Sequence, residues 1–215
     1  MNYQIELEKI LEREKDNTPT LLLQACCAPC SSYVLEYLAS HFHITIIYYN
    51  PNITLADEFE KRFKEVVRLV SEMNLKNKVE VIKGEYDPKV FLEMARGKES
   101  LPERSERCYS CYSLRMDYTA HLAKTLGYDY FGTTLSISPY KNSDWINEIG
   151  GRLEETYGVK YLYADFKKKN GYKRSIELSA KYGLYRQNYC GCSFSKRDRE
   201  KCLPDLKEIT NEREA

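Results

Sequence analysis

The chain carries eight cysteines, and seven of them fall into three tight clusters. The clusters are CCAPC (Cys26, Cys27 and Cys30), RCYSC (Cys108 and Cys111) and YCGC (Cys190 and Cys192). The three histidines lie elsewhere, so a bound metal would have thiolate ligands without imidazole, as in iron–sulfur clusters and four-sulfur zinc sites. The alternatives are buried core thiols or structural disulfides, but three clusters are hard to explain as scattered core thiols. The pattern predicts a metal site, and the isolated Cys202 is predicted to be a spare thiol.

Two of the clusters have CxxC spacing, Cys27 with Cys30 and Cys108 with Cys111. Two such pairs, expected on separate loops, can form a four-thiolate cage that accepts either zinc or a [4Fe–4S] cluster. A purely structural zinc would leave Cys26, Cys190 and Cys192 unexplained. These surplus thiols favour a cluster with a second metal beside it, or a reactive redox pair.

Length and composition bound the class of protein. The chain has 215 residues, of which 42% are hydrophobic and 30% charged, enough for one good-sized core. No stretch approaches the ~20 apolar residues that span a bilayer, and the charged N-terminus lacks a signal-peptide core. We therefore expect a cytoplasmic protein with no membrane partner, in which thiols stay reduced.

Strand and helix patterns alternate along nearly the whole chain. Strands are predicted at residues 20–25, 44–49, 79–82, 130–134 and 160–163. Helices are predicted at residues 3–15, 31–40, 56–73, 88–95, 112–126, 144–157 and near 174–182. This order predicts an α/β fold: a single doubly wound domain with a mostly parallel five-stranded sheet. We expect that domain at residues 20–202, between an N-terminal helical extension (1–19) and a charged C-terminal tail (203–215).

Ligands of such sheets bind beyond the carboxyl ends of the strands. CCAPC follows the first strand, and the hydroxyl-rich residues 133–138 follow the fourth. Both segments are therefore expected at the functional edge of the sheet.

The formal net charge of +1 hides an uneven distribution. Residues 160–201, here called the basic segment, hold twelve Lys and Arg against four Asp and Glu, so they carry +8 and the remainder −7. Interleaved tyrosines make this composition typical of a surface that binds an RNA loop. The alternative is that these lysines only solvate a surface.

Six motifs together identify a family. They are CCAPCSS, YYNPNI, ERCYSCYSLRM, TTLSISPYKN, DFKKKNGY and LYRQNYCGCSFS, and they span roughly residues 20–195. The set resembles the QueH-type epoxyqueuosine reductases. The resemblance implies a HUP-like fold, shared with PP-loop ATP pyrophosphatases. It also implies an oxidoreductase that converts epoxyqueuosine in the tRNA anticodon to queuosine, the last step of queuosine biosynthesis.

The resemblance also bears on the cofactors. A PP-loop enzyme cradles pyrophosphate in a glycine-rich loop, whereas CCAPCSS has no glycine, so ATP use is not expected. Removing an epoxide oxygen takes two electrons and two protons. This chemistry suits a [4Fe–4S] cluster, an external electron donor and an adjacent mononuclear iron or other divalent metal.

The cluster ligands are expected to be Cys27, Cys30, Cys108 and Cys111. The neighbouring metal site, where catalysis is expected, would contain Cys26, Cys190, Cys192 and Asp165. Capping of a turn is the alternative role for Asp165.

The expected tRNA contacts fall into three groups. Candidate phosphate contacts are Lys141, Lys167, Lys168, Lys173, Arg186 and Lys196. Candidate stacking residues are Tyr140, Tyr185 and Tyr189. Candidate partners of the substrate's ring hydroxyls are Ser136, Ser138 and Gln187.

Two other functions fit part of the pattern. The main alternative is a tRNA sulfurtransferase with a structural zinc, in which Cys190 or Cys192 carries sulfur; the missing pyrophosphate loop speaks against it. A non-enzymatic iron–sulfur electron carrier would not need the long basic segment.

Overall fold

The computed structural model describes the backbone of residues 2–202 and the side chains of residues 2–200. Within them, five parallel strands form one sheet in the order β3-β2-β1-β4-β5. The strands are β1 (Thr20–Gln24), β2 (His43–Tyr48), β3 (Val79–Lys83), β4 (Tyr130–Thr133) and β5 (Lys160–Tyr161). The helices are α1 (Tyr3–Arg13), α2 (Ala28–Leu38), α3 (Ala56–Glu72), α4 (Pro88–Met94), α5 (Glu106–Leu126), α6 (Ser143–Tyr157), α7 (Gly171–Lys181) and α8 (Ser193–Cys202), with a 3₁₀ turn at Leu135–Ile137. The predicted fold class is confirmed, and the predicted C-terminal tail lies outside the described residues.

Strand β1 lies at the centre of the sheet, between β2 and β4. Its Leu21, Leu22 and Leu23 are fully buried, because helices cover both faces of the sheet. Leu22 pairs with Thr45 of β2 on one side and with Phe131 of β4 on the other. The strand order reverses at this point, since the chain leaves β1 towards β2 and returns later to β4. Ligand sites form at such switch points, and the first cysteine cluster follows β1 directly.

Each face of the sheet has its own apolar core. On one face, Leu7 of α1, Leu35 of α2 and Phe59 of α3 are fully buried in a common cluster. On the other face, Met116 of α5 and Ile149 of α6 form the second cluster. None of the helices that the structure describes combines the length and apolar character needed to cross a membrane.

Helix α5 begins at Glu106, well before the predicted start at Tyr112. Cys108 and Cys111 therefore lie in its first two turns, and the prediction that this pair lies on a loop is wrong. Apolar periodicity did not reveal this start, because the residues before Tyr112 are mostly polar and cysteine has modest helix propensity. The first turns of α5 are held instead by burial of Arg107 and Cys111.

Other elements also differ from the sequence-based predictions. Helix α2 begins at Ala28 rather than at residue 31, which makes Cys30 helical and Cys27 the N-cap residue. Strand β5 ends at Tyr161 instead of residue 163. Helix α8 was not predicted, because its charged sequence has no apolar stripe that would signal a packed helix.

Candidate metal centre

The first thiol group lies at the carboxyl end of β1. The Sγ atoms of Cys26, Cys27 and Cys30 all lie within 4.8 Å of one another, and those of Cys26 and Cys27 are 3.8 Å apart. Cys27 has an extended backbone at the N-cap of α2, and Cys30 lies in the first turn of that helix. The sharp change from strand to helix thus directs two adjacent cysteines and a third toward one point.

The second thiol group brings together two distant parts of the chain. Cys108 and Cys111 of α5 and Cys190 and Cys192 before α8 line one small cavity, here called the inner cavity. Cys190 also lines a larger outer cavity together with Cys26 and Cys30. The structure therefore forms one group of three thiols, at the end of β1, and one group of four, around the inner cavity. Cys190 belongs to the second group and also lines the outer cavity beside the first. The predicted sets, four CxxC thiols and a separate site with Cys26, Cys190 and Cys192, do not coincide with these groups.

Asp165 lies apart from both groups of thiols. It is buried, and its carboxylate forms an ion pair of 2.8 Å with Lys167 Nζ. The Lys167 backbone N–H and the Ser143 hydroxyl also donate to it, at 3.3 and 3.4 Å. Among the described residues, its contacts include no thiol, and it lines neither cavity. This position corresponds to the alternative role, capping the turn after β5.

A buried hydrogen-bond network fixes the strand ends beneath the first thiol group. Gln24 Nε2 donates to the Tyr49 carbonyl and to Asn50 Oδ1, each at 3.1 Å. Thr133 Oγ1 donates to Gln24 Oε1 at 2.9 Å, and Asn50 Nδ2 donates to the Ala25 carbonyl at 2.8 Å. The ends of β1, β2 and β4 are thereby tied together at Gln24 and Ala25, directly before the cysteines. Such support orients ligands that would otherwise sit on a mobile turn.

Three arginines are almost completely buried around the thiols: Arg62, Arg107 and Arg115. Arg62 pairs with Glu58 at 2.7 Å and donates to the Cys190 carbonyl at 3.1 Å. Arg107 donates to the carbonyls of Lys98, Glu99 and Leu101.

Arg115 has the least compensated charge of the three. Its Nε donates to the Cys111 carbonyl at 3.3 Å and its Nη1 to Asn50 Oδ1 at 3.4 Å. Its Nη2 has no partner among the described residues. Within the same residues, neither Arg107 nor Arg115 lies in an ion pair with a carboxylate. An uncompensated buried cation is costly, and an anionic group bound beside these arginines would offset that cost.

The pKa values of the thiols show how much charge the protein alone stabilises. Hydrogen bonds with Cys27 and Cys30 lower the pKa of Cys26 well below its usual value. The hydrogen bond to Cys26 in turn raises the pKa of Cys27 to about 12. Burial raises the pKa of Cys111 to about 11 and that of Cys192 to about 12. A bound cation is therefore needed to deprotonate most of the set at neutral pH.

The outer cavity contains half of the predicted substrate contacts. Those that line it are Ser138, Tyr140, Lys141, Arg186, Gln187 and Tyr189. Those that do not line it are Ser136, Lys167, Lys168, Lys173, Tyr185 and Lys196. Several of the second set have other partners: the Tyr185 hydroxyl donates to Glu58, and Lys196 pairs with Glu200 at 3.9 Å.

Sequence reasoning missed several residues of this site. It did not single out the buried arginines, although Arg107 and Arg115 flank the CxxC pair of α5 in the sequence. The available signal was an arginine directly before Cys108 and another four residues after Cys111. It also missed Arg104 and Arg199, whose guanidinium carbons lie 5.5 and 5.1 Å from the centre of the Tyr140 ring.

Comparisons with known proteins agree with the motif-based expectation. The model of the family described as epoxyqueuosine reductase QueH matches residues 21–198. A protein of that name from Streptococcus pyogenes serotype M1 is 43% identical over 192 residues, which cover 88% of this chain and 75% of the relative. The one from Thermotoga maritima is 37% identical over 186 residues, covering 84% and 92%. The resemblance expected from the sequence is confirmed.

One solved structure with a similar fold is the U34-tRNA thiolase NcsA from Methanococcus maripaludis with its [4Fe-4S] cluster. The TM-score is 0.50 with 12% sequence identity, and the match covers 90% of this chain and 67% of that one. This likeness supports the fold and, at such low identity, nothing finer.

Proposed function

Because this chain belongs to the epoxyqueuosine reductase QueH family, we propose that it reduces epoxyqueuosine in a tRNA anticodon to queuosine. The family name makes it an enzyme of the oxidoreductase class. The observation that carries the proposal is the outer cavity, where thiols and polar side chains meet at the switch point of the sheet. The sulfurtransferase alternative is not favoured, because the curated relatives carry the reductase name.

The residues present fit an iron–sulfur cofactor. Seven thiols without a histidine form the donor set, and the orphaned Nη2 of Arg115 points to an anionic group in the buried site. We propose that a [4Fe–4S] cluster is held by thiols of the two groups. The remaining thiols would hold a second iron or other divalent metal. The thiolase with the same fold and a cluster of this type is consistent with this assignment.

Reducing an epoxide to an alkene consumes two electrons and two protons and releases the oxygen as water. When bound, the iron centre supplies the electrons one at a time, replenished by an external electron donor. Lys141 lines the cavity beside Cys26 and Cys190, and burial alone would lower its pKa. The neighbouring thiols outweigh burial and raise that pKa, so Nζ holds a proton beside the reacting ring.

The polar lining of the outer cavity orients the substrate. Gln187 has a buried Oε1 that lacks a hydrogen-bond partner within the described residues, so it can accept from a ring hydroxyl. Ser138 and Tyr189 lie on the same lining. We propose that these groups hold the modified base with its epoxide toward the thiols. No step in this scheme uses ATP.

The experiment is purification without oxygen, followed by assays of metal content and turnover. We expect a brown protein with iron and acid-labile sulfide that converts epoxyqueuosine-containing tRNA to queuosine-containing tRNA when given a chemical reductant. Nucleosides from the digested tRNA are quantified by mass spectrometry. A protein that holds zinc alone, or an iron-loaded protein without turnover, would overturn the proposal.

A further inference from the structure

We propose that Arg104 and Arg199, held over the ring of Tyr140, bind two backbone phosphates of a single-stranded RNA loop at the mouth of the outer cavity. We call these three residues the arginine clamp. The inference rests on the proposed function, since it assumes that the nucleotide entering the cavity belongs to RNA.

The first observation is the exposure and arrangement of the clamp. Tyr140 and Arg199 line the outer cavity, and the Tyr140 side chain is largely exposed for an aromatic residue, at 47%. Both guanidinium groups lie within cation–π distance of this ring. The ring thus holds two flexible side chains beside the opening while their N–H groups remain available. A planar guanidinium with several donors is well suited to phosphate oxygens.

The second observation is that the clamp is not neutralised. Neither Arg104 nor Arg199 forms an ion pair in the part of the chain that the structure describes, and the same holds for Lys141 and Arg186 on the same cavity lining. Lys141, Arg186 and Arg199 line the cavity directly, where Glu103 is the carboxylate. An excess of positive charge around an opening attracts a polyanion and raises its rate of association.

Two cations elsewhere in the basic segment provide the contrast. Lys169 pairs with Glu8, and Arg174 pairs with both Glu36 and Glu177. A paired cation must first give up its partner before it can release counterions from RNA, so these residues contribute little to binding. At the mouth of the cavity, by contrast, Lys141, Arg186 and Arg199 have no such partner within the described residues, and Arg186 and Arg199 belong to the basic segment itself.

The third observation connects the clamp to the thiols. Arg104 has a positive φ of 68°, a conformation that is uncommon for a residue with a side chain. In this conformation its backbone N–H donates to Cys108 Sγ at 3.3 Å, while its Nη2 donates to the Pro139 carbonyl at 2.8 Å. One strained residue therefore joins the inner cavity to the mouth, which fixes the clamp relative to the site of reaction.

The test uses an anticodon stem-loop RNA with guanosine at the position of the modified base, titrated across a KCl series by fluorescence anisotropy. For the Arg104→Ala/Arg199→Ala variant we expect roughly tenfold weaker binding near physiological salt. The log–log salt slope should be smaller by about 1.4, since each single-strand phosphate contact contributes about 0.7. The matched control is Lys169→Ala/Arg174→Ala, which removes the same charge from residues in ion pairs. It should bind like the wild type.

Equal affinity and slope for the clamp variant, or an equal loss in the control, would overturn the clamp. If the wild type does not bind the stem-loop at all, both the clamp and the proposed function fail. If the wild type binds and the clamp variant binds equally well, the clamp fails and the proposed function stands. Iron content and circular dichroism report folding of each variant. Should the double variant fail to fold, Arg199→Gln and Tyr140→Leu are measured singly, and each should give part of the loss.

Discussion

Positive charge is used differently in two regions of the molecule. In the basic segment, Lys169 and Arg174 lie at the surface and are paired with acidic side chains from distant parts of the chain. Around the thiols, Arg107 and Arg115 are buried and have no carboxylate partner within the described residues. The two surface cations are compensated by carboxylates, whereas the two buried cations are not.

This difference shows that a count of charges along the sequence does not tell which cations are compensated by carboxylates. A surface ion pair is worth little because water already solvates both groups. A buried cation requires an anion nearby, and here the nearest candidates are thiols. The predictions below test whether the two regions differ in this way.

The largest effect is expected from loss of a thiol ligand. Cys27→Ser and Cys111→Ser, one from each thiol group, should each lose most of the bound iron and reduce turnover to background, because a serine hydroxyl is a poor ligand for iron. Iron and sulfide are assayed on protein purified without oxygen. Cys202→Ser, which changes the predicted spare thiol, serves as the control. A thiol whose replacement leaves iron and turnover intact does not belong to the site.

The second-largest effect is expected from replacing Arg115, which should weaken iron binding without destabilising the metal-free protein. In Arg115→Met a flexible apolar side chain replaces the buried cation. We expect roughly 10–100-fold weaker iron retention, the range for residues that support metal ligands. The metal-free protein should keep its stability or gain about 1–4 kcal/mol, since the uncompensated charge is gone.

Iron content against chelator concentration and thermal unfolding of the metal-free protein measure the two quantities. Arg115→Lys, which keeps the charge, should recover part of the iron binding. If Arg115→Met destabilises the metal-free protein and leaves iron retention unchanged, the arginine is a packing residue and the comparison fails.

A third effect concerns the pH dependence of the metal-free protein. Burial raises the pKa of Cys111 to about 11, against about 8.5 for an unfolded thiol. The folded state therefore binds this proton more tightly. Its contribution to stability is complete below pH ~8.5 and is lost as the pH rises toward ~11. Urea unfolding at pH 8 and pH 10 should show the loss, and Cys111→Ala should reduce it; an unchanged slope in that variant would assign the loss to other groups.

Much of the fold could be predicted from the sequence because its signals are local. Apolar runs located the five strands, and their alternation with helices gave the parallel sheet and the edge where CCAPC lies. The helical start of α5 could not be predicted, because its first turns are held by burial of Arg107 and Cys111 and not by propensity. The grouping of Cys190 and Cys192 with α5 depends on contacts between residues far apart in sequence.

The sequence also could not show which charges of the basic segment are paired, for the same reason. Arg174 and Glu36 are 138 positions apart, and no local pattern links them. Tertiary structure alone brings such partners together. Candidate residues can therefore be identified from sequence, while their state of charge pairing cannot.

The smallest effect is expected at this surface pair. Arg174→Ala removes hydrogen bonds of 2.8 and 2.9 Å to the two Glu36 oxygens and one of 3.0 Å to Glu177. All three side chains are more than one-third exposed, so we expect a loss of at most about 1 kcal/mol in the free energy of unfolding. The loss should shrink in 1 M salt, where the Debye length is about 3 Å. Iron content should stay at the wild-type level, in contrast to Arg115→Met. Urea unfolding at low and high salt measures the effect, and a larger loss or any loss of iron would show that the outer region also supports the metal centre.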